Sequence, residues 1–161
     1  MRIAVCDDNI QDIERIKRYT VSMIDYAVDY EFFTKPEELL KTNLKSEQKP
    51  DMYILDIEMP GMDGLAVAKQ IRTYDSKALI VFLTSYTKYM PDVFEVVTFD
   101  FIPKPITGER LRLLFVKAEA YLNMTNQTFS FCYRRSRYSL KFDEILYLEK
   151  KERQAIIHTK D

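Results

Sequence analysis

Four short apolar runs, each closing on polar or charged residues, constrain this chain more than any other feature. They are Arg2-Ile-Ala-Val-Cys6 running into Asp7-Asp8-Asn9, Met52-Tyr-Ile-Leu-Asp56 ahead of Pro60-Gly61, Ile80-Val-Phe-Leu-Thr84-Ser85, and Phe99-Asp-Phe-Ile-Pro103 before Lys104-Pro105. A continuous apolar run of this length, bounded by turn residues, reads as a strand buried on both faces, the kind found in parallel sheets. Helical patterns lie between these runs. A helix is expected from Ile10 to about Asp25, with Ile13, Ile16, Thr20 and Met23 on one stripe. Tyr30–Phe33 reads as a further strand. Thr34-Lys-Pro36-Glu37 has the form of a capping box with Pro in the first turn, opening a helix to about Lys45. Gly64 to about Tyr74 is helical with Leu65, Ala68 and Ile71 inward, and another helix is expected around Pro91–Val97. The last begins after Pro105, with Thr107 as N-cap, and carries Leu111, Leu114, Phe115, Ala118 and Leu122. Alternation of this kind means an α/β chain whose parallel sheet is covered on both faces.

In such a sheet, ligands gather in the crevice outside the carboxyl ends of the strands. Asp56 stands at that end, just before the turn Met59-Pro60-Gly61-Met62-Asp63-Gly64. Taken alone it would be an ordinary strand-ending carboxylate capping the next helix. Asp7 and Asp8 follow the first strand, however, and if the two strands are adjacent the three carboxylates converge. They then raise each other's pKa unless a cation sits among them. A hard divalent ion with oxygen ligands, Mg2+ above all, is the usual answer. Asp and Asn are also favoured N-caps, so one of Asp7, Asp8 and Asn9 is expected to cap the helix near Ile10. The third strand ends in the hydroxyls Thr84 and Ser85, the fourth in Lys104. A nucleophilic carboxylate, a metal, a hydroxyl donor and an ammonium together make a site for receiving a phosphoryl group. The cations neutralise charge on the phosphoryl oxygens and Thr84 donates a hydrogen bond to one of them.

In this order along the chain, Asp7-Asp8, Asp56, the turn 59–64, Thr84, Phe101 and Lys104-Pro105 resemble the receiver domain of bacterial two-component response regulators, from Met1 to about Tyr121. The resemblance implies a flavodoxin-like (βα)5 receiver over residues 1–122 that takes a phosphoryl group on Asp56 from a sensor histidine kinase. It implies Mg2+ held by Asp8, Asp56 and the backbone carbonyl of Glu58, with Asp7 bound through water. Thr84, Phe101 and Lys104 take the phosphoryl-binding and switch roles, Thr84 moving toward the phosphoryl oxygens while Phe101 turns inward. Phe101 keeps the aromatic ring of that position but lacks the hydroxyl of the Tyr also common there. Glu58 and Tyr86 would flank the acceptor. The face around Tyr86, Tyr89, Val93, Phe94 and Val97, with the last strand and helix, would be the output surface.

With 47% hydrophobic and 30% charged residues, the chain has the makeup of a globular protein able to bury a core. Cys6 and Cys132 lie far apart in sequence and are expected to be free buried thiols, which suits a reducing cytosol. The N-terminus lacks the apolar core of a signal peptide and no stretch is long enough to cross a membrane, so a cytoplasmic protein is expected.

Beyond the last helix the pattern changes. Asn123-Met-Thr-Asn-Gln-Thr128 reads as a polar linker. From 129 to 161 come short β-type runs with polar turns: Phe129–Tyr133, then Arg134-Arg135-Ser-Arg137, Tyr138–Leu140, Ile145–Glu149 and Ala155–Thr159. Residues 129–161 carry 8 Lys/Arg against 5 Asp/Glu, whereas residues 1–128 carry 16 against 20. A basic β segment after an acidic receiver points to an output module that meets something anionic. The stretch Tyr138–Glu149 followed by Ile156–Thr159 resembles the opening of a LytTR-type (LytR/AgrA-like) DNA-binding domain, which implies transcriptional output. Only about a third of such a domain is represented, so DNA binding is expected only if the output domain is complete in the native protein. Arg134, Arg135 and Arg137 are candidate contacts to DNA phosphates, weighed equally against a solvated turn. So short and apolar a β segment is expected either to be disordered or to pair with the tail of a second molecule, pairing being favoured. A homodimer through the tail, or through the face around the last strand and helix, is therefore anticipated.

Other chemistries fit less well. An FMN binder of the same fold needs a Gly/Ser/Thr-rich phosphate cradle after the first strand, where Asp7-Asp8 would repel the phosphate. A phosphatase of haloacid-dehalogenase type could use Asp56 and Glu58, but Pro60 stands where Thr or Val is expected. The remaining alternative is a stand-alone receiver serving as a phosphate shuttle or protein-interaction switch.

Overall fold

In the computed structural model, which describes residues 1–21, 28–85, 96–125, 128–152 and 154–160, the strands β1 (Arg2–Cys6), β2 (Asp29–Phe33), β3 (Met52–Asp56), β4 (Leu79–Thr84) and β5 (Asp100–Pro103) form one parallel sheet. Its order is β2-β1-β3-β4-β5. Four helices are described: α1 (Ile10–Val21), α2 (Pro36–Lys45), α3 (Gly64–Tyr74) and α4 (Gly108–Thr125). The helix expected around Pro91–Val97, the residues Tyr86, Tyr89, Val93 and Phe94, and the end of the first helix with Met23 lie at least partly outside the described residues; of that stretch, Val96 is buried and Val97 exposed.

Every residue of β3 and β4 is buried, as their unbroken apolar runs require. Successive side chains of a strand point to opposite faces. Ala4, Cys6, Tyr53, Leu55, Ile80 and Phe82 pack with Leu39 and Leu40 of α2 and Val67, Ala68 and Ile71 of α3 in one cluster. The alternate residues Ile3, Val5, Met52, Ile54, Val81 and Leu83 are buried as well. The right-handed β1–β2 crossover assigns α1 to that second face; Ile13 and Ile16 of α1 are buried, as are Leu111, Leu114 and Phe115 of α4. Val67 takes the inward position on α3 together with Ala68 and Ile71, while Leu65 is only partly buried against the cluster. A side chain such as Phe82, fully buried, contributes about 1.5–3 kcal/mol over an exposed one, so the strands that present the site are firmly held.

Local signals set where the helices begin. Asn9 caps α1: its Oδ1 accepts from Gln11 N at 3.0 Å. Thr107 caps α4, accepting from Arg110 N at 3.3 Å. The capping box expected at Thr34–Glu37 does not form. Lys35, directly before Pro36, is extended (φ −131°, ψ 126°) and occupies the cap position with no side-chain cap bond. The proline ring disfavours helical geometry in the residue before it, which moves the start of α2 past the frame the box needs.

The chain divides into two compact units, Met1–Phe115 and Val116–Asp161. Helix α4 continues through Thr125, taking in the first three residues expected to be linker. In the second unit β6 (Thr128–Tyr133) pairs antiparallel with β7 (Ser136–Lys141), and β8 (Ile145–Lys151) with β9 (Gln154–Thr159). The tail strands thus find partners within the chain. Arg134 and Arg135 form the β6–β7 turn with φ of 47° and 70°, the left-handed pair that a two-residue hairpin needs. Arg137 belongs to strand β7, opposite Cys132, and not to the turn. Both cysteines are free, and Cys6 is buried as expected, but Cys132 is exposed: a two-stranded hairpin has no second layer of its own to cover it.

Candidate functional site

The strand order reverses at β1: β2 lies on one side of it and β3 on the other. At such a switch point the loops leaving two adjacent parallel strands diverge and open a crevice. Asp7 follows β1 and Asp56 ends β3, so the topology brings the sequence-distant carboxylates together. Oxygens of Asp7, Asp8 and Asp56 lie within 4.8 Å of one another. Asp7 and Asp56 are buried, whereas Asp8 is exposed at the rim. Backbone donors fix the two buried groups. Asn9 N donates to Asp7 Oδ1 at 2.9 Å, and Glu58 N approaches Asp56 Oδ1 at 3.4 Å.

The turn after Asp56 is shaped by two glycines. Gly61 holds φ at +82°, where a side chain would be strained, and Met62 N donates to Pro60 O across it at 3.1 Å. Gly64 opens α3 against the end of β3. Its N donates to Ile57 O at 2.9 Å, and a Cβ there would fall 2.0 Å from the Asp56 carbonyl oxygen. Asp63 caps α3, accepting from Ala66 N at 2.7 Å.

Lys104 reaches this cluster from beyond β5. Its backbone N donates to Thr84 O at 2.8 Å. Its Nζ donates to Asp56 Oδ2 at 2.9 Å and lies 2.7 Å from Asp7 Oδ2. A third carboxylate, Asp12 of α1, stands 3.0 Å from the same nitrogen. Asp12 is the site residue that sequence reasoning missed. Its signal was an acid four positions before Ile16 on the buried stripe of α1.

Burial is the largest influence on Asp7 and Asp56, and it pushes both carboxyls up despite the opposing pull of Lys104; Asp7 reaches about 6. Burial also disfavours the Lys104 ammonium, but its hydrogen bonds and charge attraction to Asp7 and Asp56 outweigh that and hold it above the ordinary lysine range. By count, too, the carboxylates of Asp7, Asp8, Asp12 and Asp56 outnumber the single Lys104 ammonium, so the cluster is short of positive charge. Mg2+ takes octahedral oxygens at about 2.0–2.1 Å. Three carboxylate oxygens confined as closely as these, of hard-ligand chemistry and short of countercharge, fit such an ion.

The switch candidates sit one strand further out. Leu83 pairs with Asp56 across β3–β4, so Thr84 lies one residue beyond the acceptor's level, and it is buried. Phe101 pairs with Phe82 across β4–β5 and packs, partly buried, against the cluster shared with α2 and α3. Glu58 is exposed beside the acceptor, and Tyr86 lies outside the described residues. Arg134, Arg135 and Arg137 are exposed in the second unit. Among the described residues no helix is long and apolar enough to cross a membrane.

The family model described as the response regulator receiver domain matches residues 3–115. The positive alginate biosynthesis regulatory protein of Pseudomonas aeruginosa is 30% identical over 118 residues, covering 73% of this chain and 47% of that protein. The sensory transduction protein LytT of Oceanobacillus iheyensis is 40% identical over 73 residues, 44% of this chain and 30% of LytT. The matched part thus spans about half the length of these relatives or less. Among solved structures, the response regulator TrrA of Thermotoga maritima, in complex with Mg2+ and BeF, superposes with a TM-score of 0.62 at 31% identity, covering 73% of this chain and 97% of TrrA. The response regulatory domain of MrkE from Klebsiella pneumoniae, at 23% identity and a TM-score of 0.68 over 76% of this chain and 98% of that one, shares the fold.

Proposed function

Because the chain belongs to the response regulator receiver family, we propose that it accepts a phosphoryl group from a sensor histidine kinase on Asp56 and relays the change to an attached output module. One observation carries this reading: Asp56 ends a fully buried strand beside Asp7, Asp8 and the Lys104 ammonium. Asp56 attacks the phosphorus with a carboxylate oxygen, forming an acyl phosphate. The P–N bond to the kinase histidine breaks, and the imidazole nitrogen leaves with the electron pair. Asp8, Asp56 and the Glu58 carbonyl would hold Mg2+, with Asp7 bound through water. When bound, that ion neutralises charge on the phosphoryl oxygens. Lys104 exchanges its bond to Asp56 for one to a phosphoryl oxygen. Thr84 donates to another, and Phe101 turns into the space that Thr84 leaves.

A LytTR-type transcriptional output is part of this proposal. It is supported by the likeness to LytT, which extends only over receiver residues, and by the basic hairpins that follow α4. DNA, and a second copy of the chain, are the proposed partners of that part.

Asp56→Asn tests the reading. With Mg2+ and acetyl phosphate the chain should gain one phosphate by intact mass, and Asp56→Asn should gain none. Asp8→Asn should weaken Mg2+ binding. Persistent labelling of Asp56→Asn at another residue would refute the assignment.

A further inference from the structure

Asp12 is the unusual member of this site. An acid in the first turn of a helix is common, because it favours the positive end of the helix dipole, but that role needs neither burial nor a cation. Asp12 is only 8% exposed and is held from both sides. Its Oδ2 lies 3.0 Å from Lys104 Nζ, and its Oδ1 pairs with Arg15 Nη1 at 3.2 Å. Lys104 is thereby shared among Asp7, Asp12 and Asp56, all within 3.0 Å of one nitrogen.

We propose that Asp12 is a positioning residue that acts through Lys104 and sets the balance of the site between divalent cation and phosphoryl anion. The inference rests on the receiver reading above. Four carboxylates, Asp7, Asp8, Asp12 and Asp56, face one ammonium, so a divalent ion leaves the group negative by one. Without Asp12 the same group would be neutral. The extra charge strengthens attraction for the cation and repels the incoming phosphoryl group. Asp12 also competes directly for the ammonium that must turn toward the phosphoryl oxygens. The resting site is thus tuned to hold its metal and to charge slowly. Arg15, anchored on the other oxygen, moderates the effect.

The test is a pair of measurements with opposite expected signs, on the full chain. Mg2+ affinity is read by calorimetry, and the rate of phosphate gain from acetyl phosphate is read by intact mass at saturating Mg2+. In that transfer the P–O bond to acetate breaks as the bond to the Asp56 oxygen forms, and acetate leaves with the electron pair. Asp12→Asn should weaken Mg2+ binding and speed labelling, each by roughly three- to tenfold, the scale of one partly buried charge. Asp12→Glu, which restores the charge, should return both toward the starting values. Arg15→Gln, at a half-exposed position that the fold can spare, should move both the other way: tighter Mg2+ and slower labelling. Changes of the same sign in affinity and rate, or no change beyond about twofold in either variant, would overturn the proposal. The receiver reading is judged separately, since it stands or falls on the loss of label in Asp56→Asn.

Discussion

Gly64→Ala is the most exacting test of how this fold delivers its acceptor. A Cβ on Gly64 would lie 2.0 Å from the Asp56 carbonyl oxygen, 2.9 Å from the Asp56 carbonyl carbon and 3.0 Å from Ile57 Cα, where ordinary contact begins near 3.4 Å. All three atoms are backbone, so no side-chain rotation relieves the clash. Either the first turn of α3 or the end of β3 must move, by at least about 1 Å on this steep repulsive wall. Overpacking of this kind costs about 1–3 kcal/mol, and the better helix propensity of alanine returns at most about 1 kcal/mol. For a chain of this size each kcal/mol shifts the unfolding midpoint by roughly 2–4 °C, so a fall of a few degrees is expected by circular dichroism. The catalytic consequence is larger. A reacting group misplaced by about 1 Å loses on the order of a hundredfold in rate, so acetyl phosphate labelling of Asp56 should fall far more than stability does. A midpoint unchanged within about 1 °C, together with an unchanged labelling rate, would show that the contact between α3 and β3 does not hold the acceptor.

Two further outcomes follow from burial. The Asp7 carboxyl is raised from 3.8 to about 6, chiefly by burial, so it favours the folded state while protonated, and that contribution is lost as pH rises from 3.8 through about 6. Asp56 is shifted the same way; in metal-free protein the unfolding midpoint should therefore fall across this window, and Mg2+ should oppose the fall at its upper end, while a midpoint that rises without metal would contradict the assigned environment. Burial also pushes the Cys6 thiol up to about 12, and Cys132 is exposed. One thiol per chain should react promptly with a disulfide reagent in the native state and a second only in denaturant; two prompt thiols would disprove the burial of Cys6.

What the sequence disclosed, and what it hid, divides by the reach of the physics involved. An apolar run closed by a turn has one good place in an alternating α/β chain, so β1, β3, β4 and β5 and the residues at their ends were legible, whereas the adjacency of β1 and β3 that opens the crevice entered only as a condition and is supplied by the sheet order. Conflicts between neighbours were harder to see: Thr34-Lys-Pro36-Glu37 satisfies the capping-box pattern, yet the proline also restricts Lys35, and that restriction wins. The end of α4 was misjudged for a related reason. Asn123-Met-Thr125 has no apolar period, but an established helix adds residues at little cost. In the hairpins, Cys132 was expected to be a buried thiol, although a lone pair of strands has no second layer to bury it. Two arginines likewise give no sign of a left-handed turn, which usually calls on Asn or Gly. Asp12 was hidden most deeply. On its own helix it is an ordinary first-turn acid, and it becomes part of the site only because Lys104, delivered from the far end of the sheet, is already drawn between Asp7 and Asp56. Its local signature, an acid on the buried stripe of α1, does not reveal the tie to Lys104, which depends on three other elements, so the site's position could be read from the sequence while its charge balance could not.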